Sequence, residues 1–402
     1  MVTTVTSYTD SRNRAYPGEG YDGVVRVSCG TSYGTGVLLY DGRAVLTAAH
    51  LFAAGAASNA SVTFETTAGF QTLAASRVMP LSTYDGQNNN DLALVWLSGS
   101  APVTANRYGL YRGNDEIGQG FTMVGYGTPG SGDSGILTSY NGDPLRLKAG
   151  NQFDADAGTL KSLLGATMAW TPTAGTQLVA DFDNGLAFQD ALGGLIGRTD
   201  LGLGLNEGMI SPGDSGGPAF VNGQIAGIAS YIASLSRGNG VSDIDALSNN
   251  SSYGEQGFWQ RVSSYQQWID QSLRAQYPNA PTAPEQVQKS VAEGSGGTVY
   301  AYFLVQFTGV RDTAEQMVSV DYATRDGTAI AGSDYIAVNG TLILYPNENQ
   351  AAIPVEIIGD AISEPDETFF LDVFNPAGGS LGEGVVTLTA VRTIVNDDGV
   401  WG

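Results

Sequence analysis

An all-β chain of two domains, with one helix closing the first, is what this sequence predicts. Three observations carry that reading. Short β-branched and aromatic runs dominate, one helical period stands before a proline-rich tract, and the composition turns acidic beyond it. The length of 402 residues exceeds one ordinary core, and a hydrophobic content of 42% is that of a globular chain.

The strands come first. "GVVRVSC", "GTGVLLYDGRAVLTA", "SVTFE", "DLALVWL", "FTMVGYG" and "PAFVNGQIAGIASYIA" are apolar runs broken by Gly, Asp and Asn. Asn222-Gly223 between two such runs predicts a tight hairpin. In "SSYQQWIDQSLRAQY", Tyr265, Trp268, Ile269 and Leu273 recur at helical spacing. "PNAPTAPEQ" follows and is too polar to pack. A tail over 1–15, a first domain over 16–277, a linker over 278–286 and a second domain over 287–402 are therefore expected. The second domain carries 16 acidic and 4 basic side chains. Its alternating runs "TVYAYFLVQF", "MVSVDYAT", "GTLILYP", "AAIPVEII" and "TFFLDVF" predict a β-sandwich.

Forty acidic against 18 basic residues give a net charge of −22, which repels phosphate backbones and argues against nucleic-acid binding. No apolar run is long enough for a membrane span. The N-terminal stretch lacks the charged head and apolar segment of a cleavable signal. Cys29 is the single cysteine, so an intrachain disulfide is excluded. His50 is the single histidine. Histidine-built zinc or iron sites are thereby excluded, and any imidazole chemistry must use His50.

"GDSG" occurs twice, around Ser134 and around Ser215. A serine hydroxyl needs a base within reach to act as a nucleophile. His50 closes the apolar run "AVLTAAH", and Asp91 opens "DLALVWL". Taken alone, Asp91 reads equally as a turn residue capping a strand.

In that order "LTAAH", "DLALV" and "GDSGGP" resemble the trypsin/chymotrypsin-like serine peptidases. The likeness continues through "VGYG", "IAGIASY" and "GFWQRVSSYQQWI" and covers roughly 16–275. It implies a chymotrypsin-like double β-barrel with a C-terminal helix. It also implies His50 as general base and then acid, Asp91 as its orienting carboxylate, and Ser215 as nucleophile. The N–H groups of Gly213 and Ser215 would form the oxyanion hole, and Ser230 would support Asp91. Gly-Pro and a hairpin follow Ser215, whereas "GDSGI" around Ser134 lacks both the second glycine and the proline, so Ser134 is expected to be inert. Met209, six places before Ser215, would floor the specificity pocket, with Gly257 and Ile232 on its walls. An apolar floor would reject Lys and Arg, and a branched Ile232 narrowing the entrance implies cleavage after medium aliphatic residues, with an aromatic preference as the close alternative.

The sequence departs from the family in places. Leu51 follows His50 where cysteine is customary, and no "IVGG" precedes the first strand. Asp214 is the family's partner for a new N-terminal amine. Cleavage after Arg14 would expose Ala15, an unusual end. The segment from about 133 to 205 contains an insertion, in which "DFDNG" is read as a solvated turn with only a faint likeness to a calcium loop.

"VDYATRDGTAIAGSDYIAVNGTLILYP", "VEIIGDAISEPDETFFLDV" and "IVNDD" resemble the Calx-β domain, over roughly 287–398. That resemblance implies an immunoglobulin-like β-sandwich whose end loops bind calcium. Carried over by motif position, the ligands would be Glu293, Asp326, Asp360, Glu364, Glu367, Asp397 and Asp398, with Asp366 left ambiguous. A solvated acidic end without metal is the alternative.

Together the resemblances imply a serine endopeptidase acting on protein or peptide substrates, with calcium in the C-terminal domain and no cofactor for catalysis. An extracellular or cell-surface location is expected, with matrix or surface contact through the Calx-β part. The alternatives are a catalytically inactive calcium-dependent adhesion protein and, less compatible with "GDSGGP", an esterase-like hydrolase.

Overall fold

The structure, a computed structural model, describes residues 2–52, 59–237 and 242–399. Met1 of the expected tail and residues 400–402 of the expected second domain lie outside the described residues. The chain gathers into two compact units. The first holds residues up to Leu39, then Arg43–Ser98 and Thr104–Gln266. The second holds Tyr40–Gly42, Gly99–Val103 and the chain from Gln267 onward.

In the first unit the strands are β1 (Thr3–Thr4), β2 (Val24–Cys29), β3 (Ser32–Leu38), β4 (Ala44–Thr47), β5 (Ala60–Thr66), β6 (Gly69–Pro80) and β7 (Ala93–Leu97). They continue as β8 (Gly120–Gly125), β9 (Gly130–Ser131), β10 (Gly135–Ile136), β11 (Leu147–Gln152), β12 (Ala155–Asp156) and β13 (Gln177–Asp181). The last are β14 (Gly208–Met209), β15 (Pro218–Val221), β16 (Gln224–Ala233) and β17 (Gln256–Arg261). A closed barrel runs β2-β3-β4-β7-β6-β5. β4 and β7 are buried along their whole length, and their runs are apolar apart from Thr47. A second sheet of seven strands runs β11-β8-β15-β16-β17-β13-β12. Its β15–β16 hairpin turns on Asn222 (φ 51°) and Gly223 (φ 78°), the left-handed pair that a tight hairpin demands. The core beneath it stacks Phe121 on Phe153 at 4.0 Å and sets both edgewise to Trp259.

The insertion supplies two helices, α1 (Ala157–Leu164), capped by Asp156, and α2 (Ala191–Ile196), capped by Asp190. Leu160, Leu164, Leu192 and Leu195 from these helices are buried with Val179 and Phe258.

Residues 2–15 are not a tail. Val2, Thr3 and Thr4 are buried, and β1 pairs antiparallel with β14 and parallel with β9. Asn13 Nδ2 donates to Thr6 Oγ1 at 2.8 Å and Ser7 O at 3.1 Å, tying the segment down. Its polar threonines pair through their backbone, which composition does not reveal.

The second unit contains the expected helix, α3 (Gln266–Arg274), all but its first residue. Within this unit the buried Asp270 accepts the hydroxyl of Tyr345 at 2.7 Å. The division thus falls ahead of the helix rather than in the proline-rich tract. Strands β18 (Ser290–Ala292), β19 (Thr298–Gln306), β20 (Val318–Asp326), β21 (Asn339–Leu344), β22 (Gln350–Ile358), β23 (Glu367–Ala377) and β24 (Thr387–Val395) follow. They form sheets of order β18-β24-β23-β20-β21 and β19-β22. Phe303 of β19 meets Phe369 of β23 edge-on at 5.7 Å, and Tyr335 stacks on Phe369 at 4.6 Å. A β-sandwich with an aromatic centre results.

Candidate active site and acidic clusters

β4 ends at Thr47, and the short 3-10 turn Ala49–Phe52 that follows carries His50. Asp91, just before β7, is fully buried. Its Oδ1 accepts the backbone N–H of His50 at 2.8 Å, and its Oδ2 lies 2.7 Å from His50 Nδ1. Ser230 Oγ donates to the same Oδ2 at 2.6 Å. A buried carboxylate held on both oxygens fixes the ring's orientation and places the Nδ1 proton, leaving Nε2 for chemistry. Burial, and then the Asp91 charge, push the Tyr84 hydroxyl up to about 12.

The Ser215 loop is built on glycine. Gly213 and Gly216 sit at φ 98° and 84°. A Cβ on Gly216 would lie 2.1 Å from Thr47 Oγ1 and 2.8 Å from the nitrogen of Ala48. Only glycine permits that approach, which sets Ser215 beside the segment that delivers His50. Ser215 O accepts the N–H of Thr35 at 2.8 Å. The N–H groups of Asp214, Gly216 and Gly217 bond to Ser211 O, Ala229 O and Asp214 O. Those of Gly213 and Ser215 donate to no protein acceptor among the described residues. Two undirected N–H groups flank the serine. Ser134, by contrast, lies exposed at the β9–β10 turn, with its Oγ 2.9 Å from Ser131 Oγ.

Met209, Ile232 and Gly257 converge. Ile232 pairs with Gly257 across β16 and β17, and the fully buried Met209 puts its sulfur 2.6 Å from where a Cβ on residue 257 would be.

At one end of the second unit the carboxylates form two groups. Glu293, Asp397 and Asp398 bring oxygens within 4.8 Å of one another, and so do Asp334, Glu364 and Glu367. Glu293 Oε1 and Asp398 Oδ2 are buried without a hydrogen-bond partner among the described residues, an arrangement that a cation could satisfy. Partial burial, then the neighbouring Asp334, push Glu367 up to about 7. Asp360 takes the N–H of Ile362 at 2.6 Å, and its charge, after burial, raises Glu293. Asp326 joins neither group. Tyr335 OH donates to it at 2.6 Å and Ala331 N–H at 2.9 Å, holding it below its usual range. Asp334 was missed by the sequence reading, although it stands in the quoted "AGSDY" among turn residues. Asp366 accepts the N–H of Asn396 and stays outside both groups.

Residues 11–146 match the family model described as Trypsin, and residues 285–398 match the Calx-beta domain. The chain carries a trypsin-like domain followed by a Calx-β domain. The Trypsin match includes His50 and Asp91 and ends before Ser215. Sodium/calcium exchanger 2 of Rattus norvegicus is 42% identical over 92 residues, 20% of this chain and 10% of that protein. Sodium/calcium exchanger Calx of Drosophila melanogaster is 39% identical over 83 residues, 20% and 8% of the two chains. The shared stretch thus spans about a tenth of the exchangers' length. Among solved structures, neuropsin, a serine protease expressed in the limbic system of mouse brain, aligns with a TM-score of 0.45 and 17% identity, over 65% of this chain and 98% of that one. The trypsin-like part has the chymotrypsin-like arrangement of a closed barrel and a second, open barrel sheet, and the Calx-β part is a sandwich. No helix among the described residues is long and apolar enough to cross a membrane.

The segment around Arg14 and Ala15, where a cut would expose a new N-terminus, is built into the trypsin-like domain. Ala15 is fully buried and donates to Arg146 O at 3.1 Å, while Arg14 Nη2 pairs with Glu65 at 2.8 Å. The Arg14–Ala15 bond is thus held against the domain on both sides, with Arg14 half-buried. Asp214 accepts N–H groups of Gly127 and Ser211, each at 2.8 Å, and burial raises its carboxyl against the pull of the Ser211 bond.

The first three residues of "DFDNG", Asp181 to Asp183, are buried rather than solvated, while Gly185 is exposed. Asp181, Asp183 and Asp190 are all buried and bring oxygens within 4.8 Å of one another. Burial, and then the charges of Asp181 and Glu207, push Asp183 up to about 10. Burial likewise pushes Glu207 up to about 7.

Proposed function

We propose that the chain is a serine endopeptidase in which Ser215 attacks the scissile carbonyl of a peptide substrate. The observation that carries this reading is the buried Asp91 held between His50 and Ser230, with Ser215 on a loop that leaves two N–H groups undirected. In the forward step His50 Nε2 takes the Ser215 Oγ proton as the Oγ–C bond forms. The carbonyl oxygen gains the negative charge, and the N–H groups of Gly213 and Ser215 stabilise it, at about 3 kcal/mol per donor. Asp91 stabilises the imidazolium without taking its proton. His50 then protonates the departing amine, the C–N bond breaks, and the same base activates water to release the acyl group. Met209 and Ile232 give the pocket an apolar lining that selects medium aliphatic side chains before the cut.

The Calx-β domain binds calcium in this proposal, through Glu293, Asp397 and Asp398 and through Asp334, Glu364 and Glu367, with Asp360 adding charge nearby. Bound metal there would neutralise carboxylates that otherwise repel and would order the end loops of the sandwich. An extracellular or cell-surface setting, where calcium is plentiful, fits this pairing. A fluorophosphonate probe tests the central claim. Labelling of the wild-type chain, absent in Ser215→Ala, is expected; a wild-type chain that neither labels nor hydrolyses peptides would leave the binding role alone.

A further inference from the structure

The trypsin-like part holds a second set of carboxylates that the triad does not use. Asp181 closes β13, Asp183 follows two residues on, and Asp190 precedes α2. All three are at most 4% exposed, and their oxygens converge within 4.8 Å. Around them Asp154 and Glu207 are buried as well. None of the five forms an ion pair with a basic side chain among the described residues.

Three of these carboxylates each take a backbone N–H. Asp181 Oδ2 takes the N–H of Leu192 at 2.6 Å, Asp190 Oδ1 that of Gly193 at 2.6 Å, and Glu207 Oε1 that of Asp183 at 2.7 Å. Asp183 Oδ1 has none. It is buried inside the group without a hydrogen-bond partner, in a residue only 4% exposed. A carboxylate oxygen in that position costs the fold free energy unless something positive meets it.

We propose that Asp181, Asp183 and Asp190 bind a calcium ion within the trypsin-like part, separate from any calcium in the Calx-β domain. The donor set is all oxygen, since His50 and Cys29 lie elsewhere, so a hard cation is required. Three short carboxylates on an irregular loop suit calcium, which accepts roughly six to eight ligands in flexible geometry, better than magnesium with its near-ideal octahedron. The neighbouring strand is tied to this place. Asn151 Nδ2 donates to both Asp181 O at 2.7 Å and Gly208 O at 3.0 Å. Gly208 precedes Met209, so the ion would brace the strand behind the pocket floor.

The test counts bound calcium on the full chain. Wild type, Asp183→Asn and Asp181→Asn are stripped with EDTA, dialysed to equilibrium against calcium with excess magnesium, and analysed by atomic emission. Each variant is expected to hold one calcium per chain fewer than wild type. In EDTA, Asp183→Asn should melt no lower than wild type, because the amide spares the fold the cost of burying a carboxyl that has no metal to meet it. Should one variant fail to fold, the other carries the comparison. Equal calcium content in wild type and the folded variants would overturn the site, and magnesium in place of calcium would overturn the choice of ion.

Discussion

His50 Nδ1 and Asp91 Oδ2 stand 2.7 Å apart, and Asp91 is wholly buried. Replacing Asp91 by Asn would put an amide against Nδ1 and favour the wrong tautomer. A fall in kcat of roughly 10⁴-fold is expected for Asp91→Asn. Ser230→Ala removes one bond to the same oxygen, worth about 1.5–3 kcal/mol for a charged acceptor, so a loss of roughly ten- to a hundredfold is expected. Steady-state kinetics on one peptide substrate decide both, and a silent Asp91→Asn would remove His50 as the base.

Ser215→Ala should abolish peptide hydrolysis while Ser134→Ala leaves it nearly intact. Ser134 Oγ meets only Ser131 Oγ among the described residues and lies exposed. Comparable losses in the two variants would undo the assignment.

Pocket preference is readable from a substrate panel that differs only before the scissile bond. Leu, Met, Val and Ala are expected to exceed Phe and Tyr, with Arg and Lys poorest, since a buried cation over Met209 has no counter-charge. Gly257→Ala would set its Cβ 2.6 Å from the Met209 sulfur and should raise KM for Leu more than for Ala. Fastest cleavage after Arg would show the floor to be misread.

Arg146 is fully buried and pairs with Asp22 at 2.7 Å. Arg146→Met strands that carboxylate in the interior, and a loss of about 3–5 kcal/mol is expected in urea unfolding. Adding Asp22→Asn should recover part of it. If Arg146→Met alone costs nothing, the pair has no structural role.

Calcium added to the full chain should slow hydrogen exchange in peptides covering β18 and the end of β24, which flank Glu293, Asp397 and Asp398. In Glu293→Gln with Asp398→Asn that protection should vanish. Unchanged exchange in the wild-type chain would leave those carboxylates merely solvated.

The resemblance carried by "LTAAH", "DLALV" and "GDSGGP" nominated His50, Asp91, Ser215 and Ser230, and the structure joins the first two and the last by hydrogen bonds. A lone histidine leaves one base, and "GDSGGP" distinguishes two otherwise similar serines. Periodicity also placed β2, β7, β8, the β15–β16 hairpin and α3, because each buries a continuous or regularly spaced apolar set. It could not place β6, whose residues are mostly exposed, nor β1, whose pairing partners β14 and β9 lie far along the chain. Burial of Asp181, Asp183 and Asp190 was equally invisible, since "DFDNG" has the composition of a surface turn and only the packing of α2 and β13 around it removes the water. Asp326 and Asp334 differ in the same way. Both are acidic residues in turn-rich sequence, and the reach of Tyr335 OH to one of them, together with the approach of Glu364 and Glu367 to the other, separates them. Local sequence specifies which groups can react and which segments can pair, whereas desolvation and convergence depend on residues distant in the chain, and those only the tertiary structure decides.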